Sequence, residues 1–92
     1  MRKDPVQILI VKDDQDVLIE LERLLEDQGY STATAWSSQE ALALADKLRF
    51  DLLMVDEHLG DIDARALLDE LGRRQPHALL CLIHTTREVV NN

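Results

Sequence analysis

Asp13, Asp14 and Asp56 are the residues whose types and spacing could do chemistry. The first two follow, after Lys12, an apolar run from Val6 to Val11 that only Gln7 interrupts. The third directly follows a second apolar run, Leu52 to Val55. Short, nearly continuous apolar runs of this kind read as strands covered on both faces of a sheet. If the two strands are parallel neighbours, the acids at their carboxyl ends could converge on one pocket. Converging carboxylates repel unless a hard cation joins them, and Mg2+ prefers oxygen ligands in an octahedral shell. Such a cation could also hold the oxygens of a phosphoryl group being transferred to a carboxylate.

Helices must carry the chain between these strands. After Lys12 to Asp16, apolar residues recur at Val17, Leu18, Leu21, Leu24 and Leu25, a single helical stripe that Gly29 is placed to end. Tyr30 to Ala35 alternates Thr with Ala and reads as a second strand. Ser37 to Glu40 has the S-x-x-E form of a capping box and opens a helix with Ala41, Leu44, Ala45 and Leu48 on one side. The third strand, Asp51 to Val55, ends on Asp56. Asp63 can cap a third helix carrying Leu67, Leu68 and Leu71, which Gly72 and Pro76 are expected to close. Ala78 to Ile83 is apolar at every position and reads as a fourth strand with neighbours and covered faces. The order β-α-β-α-β-α-β predicts an open α/β parallel sheet with helices on both faces and its functional edge at the carboxyl ends of the strands.

Composition sets the outer limits. The 92 residues make one domain, 1–92, with 46% hydrophobic content but only 3% aromatics, so the core is built from Leu, Ile, Val and Ala. A net charge of −8 argues against direct nucleic-acid binding by this segment, because phosphate contacts need Lys and Arg. The single cysteine, Cys81, excludes an internal disulfide, and its place inside a strand makes it a core residue. No run approaches the ~20 apolar residues of a membrane span. The expectation is a cytoplasmic, non-membrane protein. His58, His77 and His84 lack zinc-site spacing, and no glycine-rich nucleotide-binding motif occurs. Arg73 and Arg74 suit the C-terminal end of a helix dipole.

Three segments together, Ile8 to Asp14 (ILIVKDD), Asp51 to Asp56 (DLLMVD) and Leu59 to Ala64 (LGDIDA), resemble the receiver domains of two-component response regulators. The resemblance runs from about Val6 to Thr86. It implies a flavodoxin-like receiver fold and a signalling role rather than an enzymatic one. It further implies phosphoryl transfer to Asp56 from the phosphohistidine of a sensor histidine kinase, with Mg2+ bound. On the same resemblance Asp13, Asp56 and the backbone carbonyl of His58 are metal ligands, with Asp14 as a further oxygen donor or the cap of the first helix. The phosphate-sensing Ser or Thr of the family falls on His84, or on Thr85 after a shift of one residue. An output domain or protein outside this sequence completes the expected partners.

The departures from the pattern carry as much chemistry as the matches. The family has two acids directly after strand one, and here the first is Lys12. At ~5 Å and an effective dielectric of ~20, each unit charge product is worth ~3 kcal/mol, so a lysine beside Mg2+ is costly. Lys12 could instead pair with Asp56 and mimic the metal. In the loop after the acceptor, Gly60 and Ala64 stand where Pro and Gly are usual, which predicts a backbone shift at Ala64. The family's fifth strand, the phosphate-contacting Lys before it and the fifth helix are not among these residues. The expected sheet therefore ends after strand four, whose edge is expected to pair two copies into a homodimer. The alternative to a phosphoacceptor is a phosphorylation-independent pseudo-receiver, an interaction or dimerisation module. A Mg2+-dependent phosphohydrolase ranks last, because His58 stands where such enzymes need a second Asp.

Overall fold

The computed structural model describes residues 5–60 and 63–83. Within them seven elements alternate: β1 (Gln7–Val11), α1 (Gln15–Asp27), β2 (Ser31–Ala35), α2 (Ser38–Lys47), β3 (Leu52–Asp56), α3 (Ala64–Arg74) and β4 (Leu79–Ile83). All four strands are parallel, in the order β2-β1-β3-β4. The chain leaves β1 toward β2 on one side and returns to place β3 on the other. The order thus reverses between β1 and β3, and the crevice at a reversal of this kind opens beyond the carboxyl ends of the two strands.

Side-chain alternation along the strands sorts the core into two layers. Ile8, Ile10, Leu52 and Met54 face α1, where Leu18, Leu21 and Leu25 cover them. Leu9, Val11, Ala35, Leu53 and Val55 face the opposite way and pack against Ala41 and Ala45 of α2 and Leu67, Leu68 and Leu71 of α3. The Leu and Ala stripes of the helices and the continuous apolar strands therefore answer one another. Each fully buried Leu or Ile contributes about 1.5–3 kcal/mol relative to exposure.

The helix ends follow local chemistry. Asp14 caps α1, Ser37 caps α2 through the Glu40 N–H at 3.1 Å, and Asp63 caps α3 through the Arg65 and Ala66 N–H groups. The Glu40 carboxylate reaches the Trp36 N–H at 2.8 Å, one residue before the cap. Gly29 follows α1 with φ +93°, a conformation costly for any side chain.

Three expectations need correction. Gly72 does not close α3, which runs on to Arg74. A Cβ at Gly72 would meet Leu80 at 3.1 Å, so the glycine lets the helix lie close on β4. Ala64 does not occupy a strained loop conformation; it is the buried first residue of α3, and Gly60 takes the positive φ of +61°. Strand β4 is apolar throughout but not covered on both faces: Leu79 is 72% exposed and Leu80 47%. Among the described residues an open apolar groove of about 590 Å3 lies on the α1 side, lined by Val6, Ile8, Leu25, Leu52, Met54 and Leu79 among others.

One buried polar side chain ties the second layer together. Gln75, just past α3, is buried; its amide nitrogen donates to the carbonyls of Ala45 and Leu48, each at 2.7 Å, and its amide oxygen accepts from the Phe50 N–H at 3.0 Å. It thereby fixes the turn from α2 into β3. Arg73 and Arg74 engage the Glu70 carboxylate, hold it below its ordinary pKa, and Arg74 also reaches Asp46 of α2. These exposed contacts are worth little beside the buried glutamine. Gln75→Ala strips partners from three backbone groups, two of them buried, and is expected to lower stability by about 2–3 kcal/mol in urea unfolding. A loss below about 0.5 kcal/mol would show that the turn holds without it.

Candidate functional site

Strand register brings the site together. Val11 pairs with Val55 and Ile10 with Met54, so the next residue of each chain segment, Lys12 and Asp56, lie side by side at the strand ends. The β1 ladder continues through the Lys12 N–H, which donates to the Ala35 carbonyl at 3.1 Å. That of β3 continues through the Glu57 N–H, which donates to the Ile83 carbonyl at 2.9 Å. Asp56, flanked by Ile83 on the other side, is completely buried, and Lys12 is 6% exposed.

The Lys12 ammonium contacts Oδ2 of Asp56 as a buried ion pair. Oδ1 accepts the backbone N–H of His58 at 2.9 Å. A carboxylate and an ammonium at this depth each carry a large desolvation penalty, and mutual contact is what offsets it. The acid is thus held in place by a charge from β1 and by a hydrogen bond from the start of the β3–α3 loop.

The other acids divide the work. Asp14 turns to α1, where its Oδ1 accepts the N–H groups of Asp16 at 3.1 Å and Val17 at 3.3 Å. Asp13 is exposed and lies against the β3–α3 loop: a Cβ on Gly60 would stand 3.8 Å from its Oδ2. Buried Leu59 anchors that loop into the core. The His58 side chain points outward, with Nε2 3.5 Å from a Glu57 carboxylate oxygen. Lys12, Asp13 and Asp56 therefore share one edge, whereas Asp14 serves as a cap. His84 and Thr85 lie outside the described residues.

Among the described residues no group of three or more His, Cys, Asp or Glu side chains is placed to hold a metal ion. The donor set agrees with that. Lysine has no lone pair to offer as an ammonium, and it lies on the acceptor carboxylate where a cation would go. The arrangement does not fit Mg2+ as it stands. The His58 amide is the site feature that residue types did not announce. A carbonyl was expected from that residue, and a backbone N–H leaves no mark in a side-chain pattern.

A parallel sheet with helices on both faces and a buried acid at the end of a central strand is the architecture of a receiver-type signalling domain. The family model for the response regulator receiver domain matches residues 8–92, and the chain belongs to that family. It is 41% identical over 75 residues to a response regulator receiver protein of Anaeromyxobacter sp., covering 82% of this chain and 32% of the relative. It is 35% identical over 85 residues to the transcriptional regulatory protein ZraR of Salmonella typhimurium, covering 92% of this chain and 19% of ZraR. The chain thus spans a third or less of these relatives. Among solved structures it is similar to a response regulator protein from Burkholderia pseudomallei with a phosphorylated aspartic acid, calcium ion and citrate. The TM-score is 0.83 at 30% identity, over 91% of this chain and 49% of that one. No helix among the described residues is long and apolar enough to cross a membrane.

Removing one partner of the buried pair should cost far more than removing both. Lys12→Met is expected to destabilise the fold by about 3 kcal/mol, and Lys12→Met/Asp56→Leu to recover most of that loss. Urea unfolding of parent, single and double variants measures the coupling. Strictly additive losses would mean that the two side chains do not support one another.

Proposed function

We propose that this chain is a receiver that accepts a phosphoryl group on Asp56 from the phosphohistidine of a sensor histidine kinase and relays the change to an output domain or protein. The observation that carries this reading is Asp56 itself: a fully buried carboxylate at the end of a central strand, oriented by the His58 N–H, at the reversal of strand order. Such an acid is pre-positioned for in-line attack at a modest entropic cost. One carboxylate oxygen of Asp56 forms the new O–P bond while the P–N bond of the donor breaks. The departing nitrogen keeps the electron pair and takes up a proton, and an acyl phosphate remains.

The family's divalent cation would draw on Asp13, Asp56 and the His58 carbonyl, the positions that match its motif. In this chain the positive charge lying against the acceptor is Lys12 rather than a metal. Phosphorylation adds negative charge beside that ammonium and so disturbs an ion pair that spans β1 and β3. This is a local electrostatic event of the kind that biases a two-state element.

The Lys12–Asp56 pair also favours a second reading, a pseudo-receiver that keeps one conformation and works as an interaction module. Incubation with acetyl phosphate, read by intact mass and peptide mapping, separates the two. A single phosphoryl adduct on Asp56, absent from Asp56→Asn, is the expected result. No adduct on the parent chain would favour the pseudo-receiver, and an adduct retained in Asp56→Asn would remove Asp56 as acceptor.

Self-association belongs to the same proposal. Strand β4 pairs with β3 alone among the described strands and exposes Leu79 and Leu80. An uncharged apolar strand of this kind is a template for another copy. Light scattering of the 92-residue chain at micromolar concentration is expected to give a dimer, and Leu79→Glu a monomer. A parent chain that remains monomeric would remove the dimer from the proposal.

A further inference from the structure

We propose that Lys12 is the resident cation of the acceptor site, so that Asp56 takes its phosphoryl group without a divalent metal. The inference rests on the phosphoacceptor reading of Asp56 and specifies how the charge of that site is managed.

The position of the ammonium carries the argument. Lys12 follows β1 directly, and its Nζ lies on Oδ2 of Asp56, 6% exposed beside a completely buried acid. A lysine with its four-carbon stem can leave its head in water at little cost, and on a solvent-facing strand end it normally does. Here the head turns inward to the one carboxylate that is fully buried among the described residues. The pair is therefore part of the buried structure of the site.

Charge counting points the same way. Two acids after strand one plus the acceptor would offer a dication three negative charges. Lys12 in place of the first acid leaves a single net negative charge across Lys12, Asp13 and Asp56. Mg2+ gives up its waters reluctantly and demands near-octahedral oxygen ligands, so it is poorly suited to displace an ammonium for so small an attraction. The remaining acids do not make up the deficit. Asp14 is committed to capping α1, and Asp13 stands exposed against the Gly60 loop.

The ammonium also has what the transfer needs. An ammonium carries three donors, so one cation can serve a carboxylate oxygen and a phosphoryl oxygen together. It serves as a point charge, the way lysine commonly binds phosphate. The charge that screens the approach of an anionic donor to an anionic acceptor is then built into the chain.

Phosphorylation of the whole 92-residue chain by phosphoramidate, read by intact mass in EDTA and in millimolar Mg2+, tests this. The parent is expected to react at the same rate in both, within about twofold. Lys12→Asp is expected to lose at least about tenfold in EDTA, one decade or about 1.4 kcal/mol, and to regain it with Mg2+. Lys12→Gln serves where Lys12→Asp does not fold, and is expected to react at least about tenfold more slowly than the parent in EDTA. A parent that reacts only with Mg2+ would overturn the proposal. Mg2+ titration followed by the fluorescence of Trp36, the only tryptophan, gives a readout that needs no phosphorylation. Parent affinity at least about tenfold weaker than that of Lys12→Asp (or Lys12→Gln in its place) supports a resident lysine, and equal affinities overturn it. If neither parent nor Lys12→Asp takes a phosphoryl group under any condition, the phosphoacceptor reading has failed, and the titration alone decides whether Lys12 holds the cation position.

Discussion

Parallel pairing of Ile8–Val11 with Leu52–Val55 sets where β1 and β3 run out, and so sets Lys12 against Asp56. A slip of one residue by either strand would turn its side chains to the other face and part Lys12 from Asp56. The two core layers forbid that slip, because Leu9, Val11, Leu53 and Val55 must face α2 and α3 while Ile8, Ile10, Leu52 and Met54 face α1. Packing of the sheet thus fixes the geometry of the ion pair, and the ion pair in turn makes burial of Asp56 tolerable.

That interdependence explains why three neighbouring acids have three different fates. Asp56 sits on the strand and is buried with it. Asp14 stands where the chain turns from extended to helical backbone, and the free N–H groups of the first turn of α1 capture its carboxylate. Asp13 lies between them and stays in water beside Gly60, whose left-handed backbone brings the loop close. Identical side chains are separated by backbone position alone. Of the three, Asp56 is the one that Lys12 meets as a buried ion pair.

The periphery is looser than the centre. Gln75 closes the α2–β3 turn with buried hydrogen bonds, whereas β4 carries exposed leucines and borders an open groove on the α1 side. The chain belongs to the receiver family, and its buried acid lies at the better-packed end of this gradient, on a central strand. Apolar surface at β4 is where contacts with other protein surfaces would gain most from burial.

Element order, the parallel sheet, the helix caps at Asp14, Ser37 and Asp63 and the strand-end place of Asp56 were legible in the residues alone. Each depends on local periodicity or on side chains within four positions of the backbone they serve. The close approach of α3 to β4 at Gly72, the bridging by Gln75, the exposure of Leu79 and the His58 N–H on Asp56 were not legible. They depend on segments far apart in the chain, or on backbone groups that every residue carries. Lys12 lies on the boundary between the two. Its type and position showed that a positive charge stood at the acceptor edge, with both solvent and Asp56 within reach of its long side chain. Only tertiary packing, which buries Asp56 completely and leaves the ammonium as its neutralising neighbour, decided that the lysine turns inward.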